Sequence, residues 1–315
     1  MPTNHMTRRY CYSGITRRLA GLLLVFLVSL LILHLNNRLH HTTLYPHHPV
    51  TVVTAYFRIP SKHTPQEYFR WMENFLRHVD CHLYIFTEPA LLPNLTSLRQ
   101  PYLSRTRFIT LPFNDLSTAP LLPQLEALTR KYPEKNVTAQ LMAIWHAKWR
   151  FIISAINENV FTSEYFIWCD IGSFRQPRHL PQLKHFPDAE RTKSVLRDRH
   201  QVYLLLTEPF PASVTFRRDS QLAEDTALRA AVSQLHIGGT LAAGHRDAWR
   251  MWERAYYPLL EQLLAAGIHA GQDQVVMNAI ALKYPQLVHL IKPKAYFGGT
   301  GNPWFYFQYY FSAAI

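Results

Sequence analysis

Short runs of β-branched and aromatic residues alternate along this chain with longer stretches whose apolar positions recur every three or four residues. That alternation constrains the fold more than any other feature. Val50–Tyr56 (VTVVTAY) has neither a helical period nor a polar face, so it reads as a strand buried on both sides. His82–Thr87, Arg107–Leu111, Tyr165–Asp170, Val202–Leu206 and Leu235–Leu241 are also strand-like. Helical patterns separate them. Thr64-Pro65-Gln66-Glu67 joins an N-cap, a proline at the first helical position and a capping glutamate. Tyr68, Trp71, Met72, Phe75, Leu76 and Val79 then form one apolar stripe, read as core. Thr138–Asn157, Asp247–Ala266 and Asp273–Tyr284 are further helices, the last two stopped by Gly267 and Pro285. Parallel strands need crossover connections, so the order predicts an α/β fold with a mostly parallel sheet and helices on both faces.

The N-terminus is of another kind. Leu19–Leu35 is a seventeen-residue apolar run broken only by Ser29 and His34, and as a helix it spans about 25 Å. Arg8, Arg9, Arg17 and Arg18 precede it and only Arg38 follows closely, which places the N-terminus in the cytosol. The residues after it, HLNNRLHH, contain no small-x-small cleavage site, so an uncleaved signal anchor is expected rather than a removed signal peptide. The expected organisation is a cytosolic basic tail over 1–18, one transmembrane helix over 19–35, a stem over 36–49 and a luminal domain over 50–315. The compartment would be the Golgi or the endoplasmic reticulum. Asn94-Leu-Thr96 and Asn136-Val-Thr138 are glycosylation sequons consistent with that topology. Cys81 and Cys169 read either as buried free thiols or as a disulfide.

Charge is the next constraint. The 315 residues carry 33 Lys and Arg against 21 Asp and Glu, a net +12, but residues 1–49 hold five Arg and no acid. The remaining excess is spread along the chain with no recognition motif, which argues against nucleic acid as a partner. It is densest over residues 175–199, with seven basic and three acidic residues. This stretch follows Phe166–Arg175 (FIWCDIGSFR), where an apolar strand ends in an acid and a glycine. The carboxyl ends of strands in an open α/β sheet form the ligand crevice. Asp170 there suits a divalent cation bridging a diphosphate leaving group, and Gly172 a close approach of backbone to phosphate. Lys148 and Arg175, before and after this strand, either neutralise phosphates or are solvated. Asp273 opens a helix, where an acid is a good N-cap, and the same acid at a crevice rim would bind or deprotonate an acceptor hydroxyl. His236-Ile237-Gly238-Gly239 places two glycines in a strand, the mark of a bulge or of a closely approaching ligand.

Taken in order, VTVVTAYFRI, KWRFIISAINENVFTSEYFIWCDIGSFR, LHIGGTLAAGHRDAW and HAGQDQVVMN resemble the HtrL/YibB family over most of residues 50–293. The resemblance implies a GT-A-like nucleotide-sugar transferase fold and a glycosyltransferase acting on a glycan or glycoconjugate acceptor. It implies that Thr54 and Tyr56 hold the nucleotide of a nucleotide sugar, and the residue readings above put Lys148, Gly172 and Arg175 on the same donor side. Asp170 would take the part of the acidic metal motif, binding a divalent cation, manganese, while Gly238, Gly239, Asp273 and Gln274 line the acceptor side. The sequence departs from the usual pair of acids spaced by one residue, since Trp168 and Gly172 flank Asp170 at that spacing. A non-catalytic luminal protein of the same fold, binding glycans or a protein partner, is the alternative.

Overall fold

β1 (Val50–Tyr56) is the strand from which the sheet grows in both directions. β2 (Leu83–Thr87) and β3 (Thr106–Thr110) are added on one side, and β4 (Tyr165–Cys169) on the other, followed by β6 (Ile237–His245), β5 (Val202–Leu206) and β7 (Val288–Ile291). The order is therefore β3-β2-β1-β4-β6-β5-β7. β6 runs antiparallel to β4 and β5 and every other pairing is parallel, so the expected mostly parallel sheet is found with one reversed strand. This architecture is that of a computed structural model describing residues 24, 26–31, 45–212, 214, 226–294 and 302–312.

Helices cover both faces because the central strands have no polar side to show water. α1 (Pro65–His78) begins as its sequence demands: Thr64 accepts from the Glu67 amide and Glu67 accepts in return from the Thr64 amide. Its Met72, Phe75 and Leu76 are buried against Val50, Val52, Leu83 and Ile85 on one face of the sheet. The other face carries α2 (Ala139–Glu158), α3 (Arg246–Ala265) and α4 (Asp273–Lys283). Trp149 of α2 stacks on Trp249 of α3 with ring centroids 5.6 Å apart, and the Trp249 indole donates to the Phe166 carbonyl of β4.

Several expectations change in detail. The strand expected over Leu235–Leu241 runs from Ile237 to His245, and a register shift opposite Leu204/Leu205 marks a bulge where Gly239–Leu241 leave the pairing with β5. β7 is four residues long and half exposed, too short to show a period. Two helices, Leu92–Leu98 and Leu122–Lys131, begin with a proline in the first turn and no side-chain cap, so only half of the usual start signal announces them. Cys81 and Cys169 are buried free thiols, which settles the choice between thiol and disulfide.

The chain divides into Met1–Pro46 and His47–Ile315. Within the first unit, Leu24 and residues 26–31 are helical, and the side chains of Leu24, Phe26 and Leu31 are exposed. Among the described residues no helix is long and apolar enough to cross a membrane. The expected tail, and most of the expected span and stem, lie outside the described residues.

One buried charge escapes sequence inspection altogether. Arg99 is fully buried, donating to the carbonyls of Leu76, Val79 and Cys81 and to the Thr106 hydroxyl. It closes the carboxyl end of α1, where unpaired carbonyls and the helix dipole favour a cation. Replacing Arg99 by Met leaves those carbonyls buried without donors, at about 1–3 kcal/mol for each one left unpaired. Urea unfolding of the full chain should show Arg99→Met destabilised by about 3 kcal/mol or more, and a loss below about 1 kcal/mol would contradict this role.

Candidate functional site

Between β1 and β4 the sheet changes its direction of growth, and the loops leaving the two strand ends diverge to leave a crevice. A cavity open to solvent lies there. Its wall is built from Tyr56 and Arg58 at the end of β1, His63 and Tyr68 at the start of α1, and Lys148 of α2. Trp168, Asp170, Gly172 and Arg175, at and beyond the end of β4, complete it.

The side chains in this wall are ordered by one ion cluster. Lys148 projects from the middle of α2, and its Nζ lies 3.2 Å from Asp170 Oδ1 and 2.9 Å from Asp273 Oδ2, and donates to the Gly239 carbonyl at 2.7 Å. The Lys148 and Asp273 side chains are 4% and 3% exposed, whereas Asp170 keeps 33% of its side chain open. Burial alone would lower the lysine's pKa, but the charges of Asp170 and Asp273 outweigh it and hold the ammonium above the usual lysine value. Burial raises the Asp170 pKa, and Lys148 and the Trp168 indole offset only part of that. Residues two apart on a strand share a face. Trp168 therefore lies beside Asp170 and donates its indole N–H to Oδ1 at 2.7 Å. Asp170 Oδ2 has no partner among the described residues.

Asp273 does not cap its helix. Gln272 is the N-cap residue, without a side-chain cap bond, and Asp273 occupies the first helical position, turned inward to Lys148. The ion pair wins over capping because an unpartnered buried ammonium is far costlier than an open amide. The helix start still favours the carboxylate through its dipole. Gly239 makes room for this arrangement, since a Cβ there would lie 3.2 Å from both Asp273 oxygens. Of the two sequence readings, the double glycine marks a bulge, and the bulge aims the Gly239 carbonyl at Lys148.

Arg175 forms the second feature of the wall. Its guanidinium lies 4.2 Å from the Trp71 ring centroid and 5.2 Å from that of Phe305, and its Nε donates to the Gly172 carbonyl. Gly172 cannot carry a side chain without displacement, because a Cβ would come 3.0 Å from Trp71 and 3.3 Å from Tyr68. The space a side chain would take is occupied by these rings, and Gly172 lines the cavity with its backbone. The apolar stripe of α1 thus divides: Met72, Phe75, Leu76 and Val79 are core, while Tyr68 faces the cavity and Trp71 supports Arg175.

Of the residues singled out from sequence, the structure gathers Tyr56, Lys148, Asp170, Gly172 and Arg175 around one cavity. Asp273 and Gly239 stand behind Lys148, not in the wall. Gln274 ties α4 to β6 by donating to the Ile237 carbonyl, and Gly238 packs against Leu205 and Trp304. Thr54 is buried one residue below the wall with its hydroxyl unpartnered among the described residues. His236 is buried against Phe210, with ring centroids 4.4 Å apart. Sequence inspection missed Arg58, His63 and Tyr68, which only the loop after β1 and the turn into α1 bring to the cavity. Asn94 and Asn136 are exposed, the first in the opening turn of a helix and the second at φ 62° ahead of α2.

A divalent ion needs several oxygen ligands. Among the described residues no three His, Cys, Asp or Glu side chains form such a group. The acid within reach of Asp170 is Asp273, and Lys148 already stands between the two. The residues around Asp170 therefore do not fit the expected manganese ion.

A family model described as "Bacterial protein of unknown function (HtrL_YibB)" matches residues 48–299. Among solved structures, mouse xyloside xylosyltransferase 1 in its apo form is similar at 14% identity and a TM-score of 0.41, covering 77% of this chain and 84% of that one. Core-mannan synthase A from Aspergillus fumigatus, in a Mn/GDP form, is similar at 9% identity and a TM-score of 0.44, covering 78% of this chain and 73% of that one. No curated protein matches the sequence significantly.

The ion cluster predicts a characteristic stability pattern. Lys148→Met should destabilise the chain by about 3–5 kcal/mol in urea unfolding, because it strands Asp273 as a buried unpaired charge. Adding Asp273→Leu should recover more than half of that loss, since an apolar pair of similar size avoids the desolvation cost. Additive losses in the double variant would show that the two side chains are not coupled.

Proposed function

The chain belongs to the HtrL/YibB family, and from that premise we propose that it transfers a sugar from a nucleotide-sugar donor to a hydroxyl of a glycan or glycoconjugate, on a fold of the GT-A type. One observation carries the reading: a single cavity wall at the sheet's switch point combines Arg58, Lys148 and Arg175 with aromatic faces and one open carboxylate, Asp170. Guanidinium groups suit the two charged phosphates of such a donor. Tyr56 and Tyr68, whose rings are 5.6 Å apart, offer flat apolar surface to a base or a sugar ring.

Chemically, breaking the bond between the sugar and the diphosphate leaves negative charge on the departing oxygen. Cations already fixed in place stabilise that charge most where water is excluded and no side chain has to reorganise. Arg175 meets this condition because two aromatic rings and the Gly172 carbonyl hold it. Asp170 Oδ2 accepts a hydrogen bond from a sugar hydroxyl, while Oδ1 is committed to Trp168 and Lys148. Asp273 is a positioning residue in this reading: at 3% exposure it acts through Lys148 and does not touch the acceptor.

The reading also includes a type II membrane topology, with residues 19–35 as anchor and the globular unit on the luminal side. The exposed apolar side chains of Leu24, Phe26 and Leu31 support it, as do the exposed sequon residues Asn94 and Asn136.

To test the activity, the full chain is incubated with a panel of nucleotide sugars and glycan acceptors. Release of nucleoside diphosphate or transfer of sugar is expected with at least one donor; silence across the panel, together with no binding of any nucleotide, would sink the reading. Asp170→Asn separates an enzyme from a glycan-binding module of the same fold. An enzyme loses about 100-fold or more in turnover per folded molecule, with folding checked by circular dichroism at the assay temperature because Asp170 also pairs with Lys148, whereas a binding module has no turnover to lose. Arg175→Ala should weaken nucleoside diphosphate binding by about tenfold, measured by calorimetry.

A further inference from the structure

We propose that Lys148 is the resident cation of this site and replaces the divalent ion, so that the chain binds and acts on its diphosphate ligand without metal. The inference rests on the transfer reading for its ligand, but its central observation is independent of it. An ammonium group has three N–H donors. Lys148 has three acceptors, from three separate parts of the chain: Asp170 at the end of β4, Asp273 at the start of α4 and the Gly239 carbonyl in the β6 bulge. The ammonium donates to the Gly239 carbonyl and stands at ion-pair distance from both carboxylates, so at 4% exposure it occupies the place between them that a shared metal ion would need.

Asp170 is also altered as a ligand. The residue two before it, where a second acid would share an ion with it, is Trp168, and that indole donates to the same oxygen that faces Lys148. A divalent ion on Asp170 would sit within a few ångströms of a fixed ammonium, with one free oxygen to hold it and like charge to repel it. The wall does not lack positive charge without an ion. Arg58, Lys148 and Arg175 outnumber Asp170 and the buried Asp273.

The test uses the full chain purified in detergent and stripped with EDTA. Manganese is titrated in by electron paramagnetic resonance, alone and with UDP, GDP or CDP, and nucleotide binding is measured by calorimetry in EDTA and in excess manganese. We expect no site-bound manganese with Kd below about 1 mM, and a nucleotide Kd that differs by less than about twofold between the two conditions. The variant Lys148→Met with Trp168→Asp, which removes the ammonium and adds an acid, should gain a manganese signal. Manganese bound by the parent chain and lost in Asp170→Asn would overturn the proposal, and so would a folded double variant that still binds no manganese. Should the double variant not fold, the parent titration alone decides. Failure of every nucleotide to bind would sink the transfer reading, while the manganese titration would still judge the resident cation.

Discussion

The site depends on one buried ammonium held by three acceptors that the sequence keeps far apart. Asp170, Gly239 and Asp273 stand 22, 91 and 125 residues after Lys148, and each reaches it by a different local device: a strand end, a bulge and a helix start. A charge buried to this degree is tolerated only when its partners are all present. The register of α2, the bulge in β6 and the inward turn at the head of α4 are therefore not independent features. None can shift without exposing Lys148 to an unpaired state, which makes the cluster a lock on the packing of α2 and α4 against the centre of the sheet.

Around that lock, aromatic residues do the work usually given to further charges. Among the described residues Arg175 makes no salt bridge, and the faces of Trp71 and Phe305 hold it at the cavity rim. Cation–π contacts orient a guanidinium without neutralising it. A salt bridge would have fixed the side chain equally well while cancelling the charge that an anionic ligand needs. The glycine at position 172 follows from the same packing, because the rings of Tyr68 and Trp71 occupy the space of its side chain.

Much of this was legible in the sequence, and the remainder was hidden for identifiable reasons. β1 and β5 begin and end where their apolar runs do, and α1 starts at its capping box, because those signals are local. Asp170 stands out because it closes a buried strand just ahead of a glycine, at the sheet end where a ligand crevice forms. Local chemistry leaves two readings each for Gly239, a bulge or a ligand contact, and for Asp273, a helix cap or an acceptor contact, and cannot choose between them. Both serve Lys148, a partner that no local pattern connects to them. Lys148 is open in the sequence between a phosphate contact and a solvated lysine, since nothing in four residues either side says which face of α2 meets the sheet edge. Tyr68 and Trp71 belonged to an apolar stripe that periodicity assigns to core. A stripe extending past the edge of the sheet continues into the cavity, and only the position of α1 along β1 reveals where one becomes the other.

Asp170 shows how one side chain carries both structural and chemical duty. Oδ1 receives the indole of Trp168 and faces Lys148, which fixes the carboxylate plane, and Oδ2 is left to the cavity. The period of two along β4 makes this possible, because whatever stands at position 168 must lie beside the acid. An acid there would give two carboxylates repelling each other until a cation joined them. Tryptophan instead supplies a donor, packs its ring against Phe151 and leaves Lys148 to supply the charge. The same backbone geometry can thus present either a site that recruits its cation from solution or one that carries the cation within the chain. The identity of one residue on β4 and one on α2 decides between them.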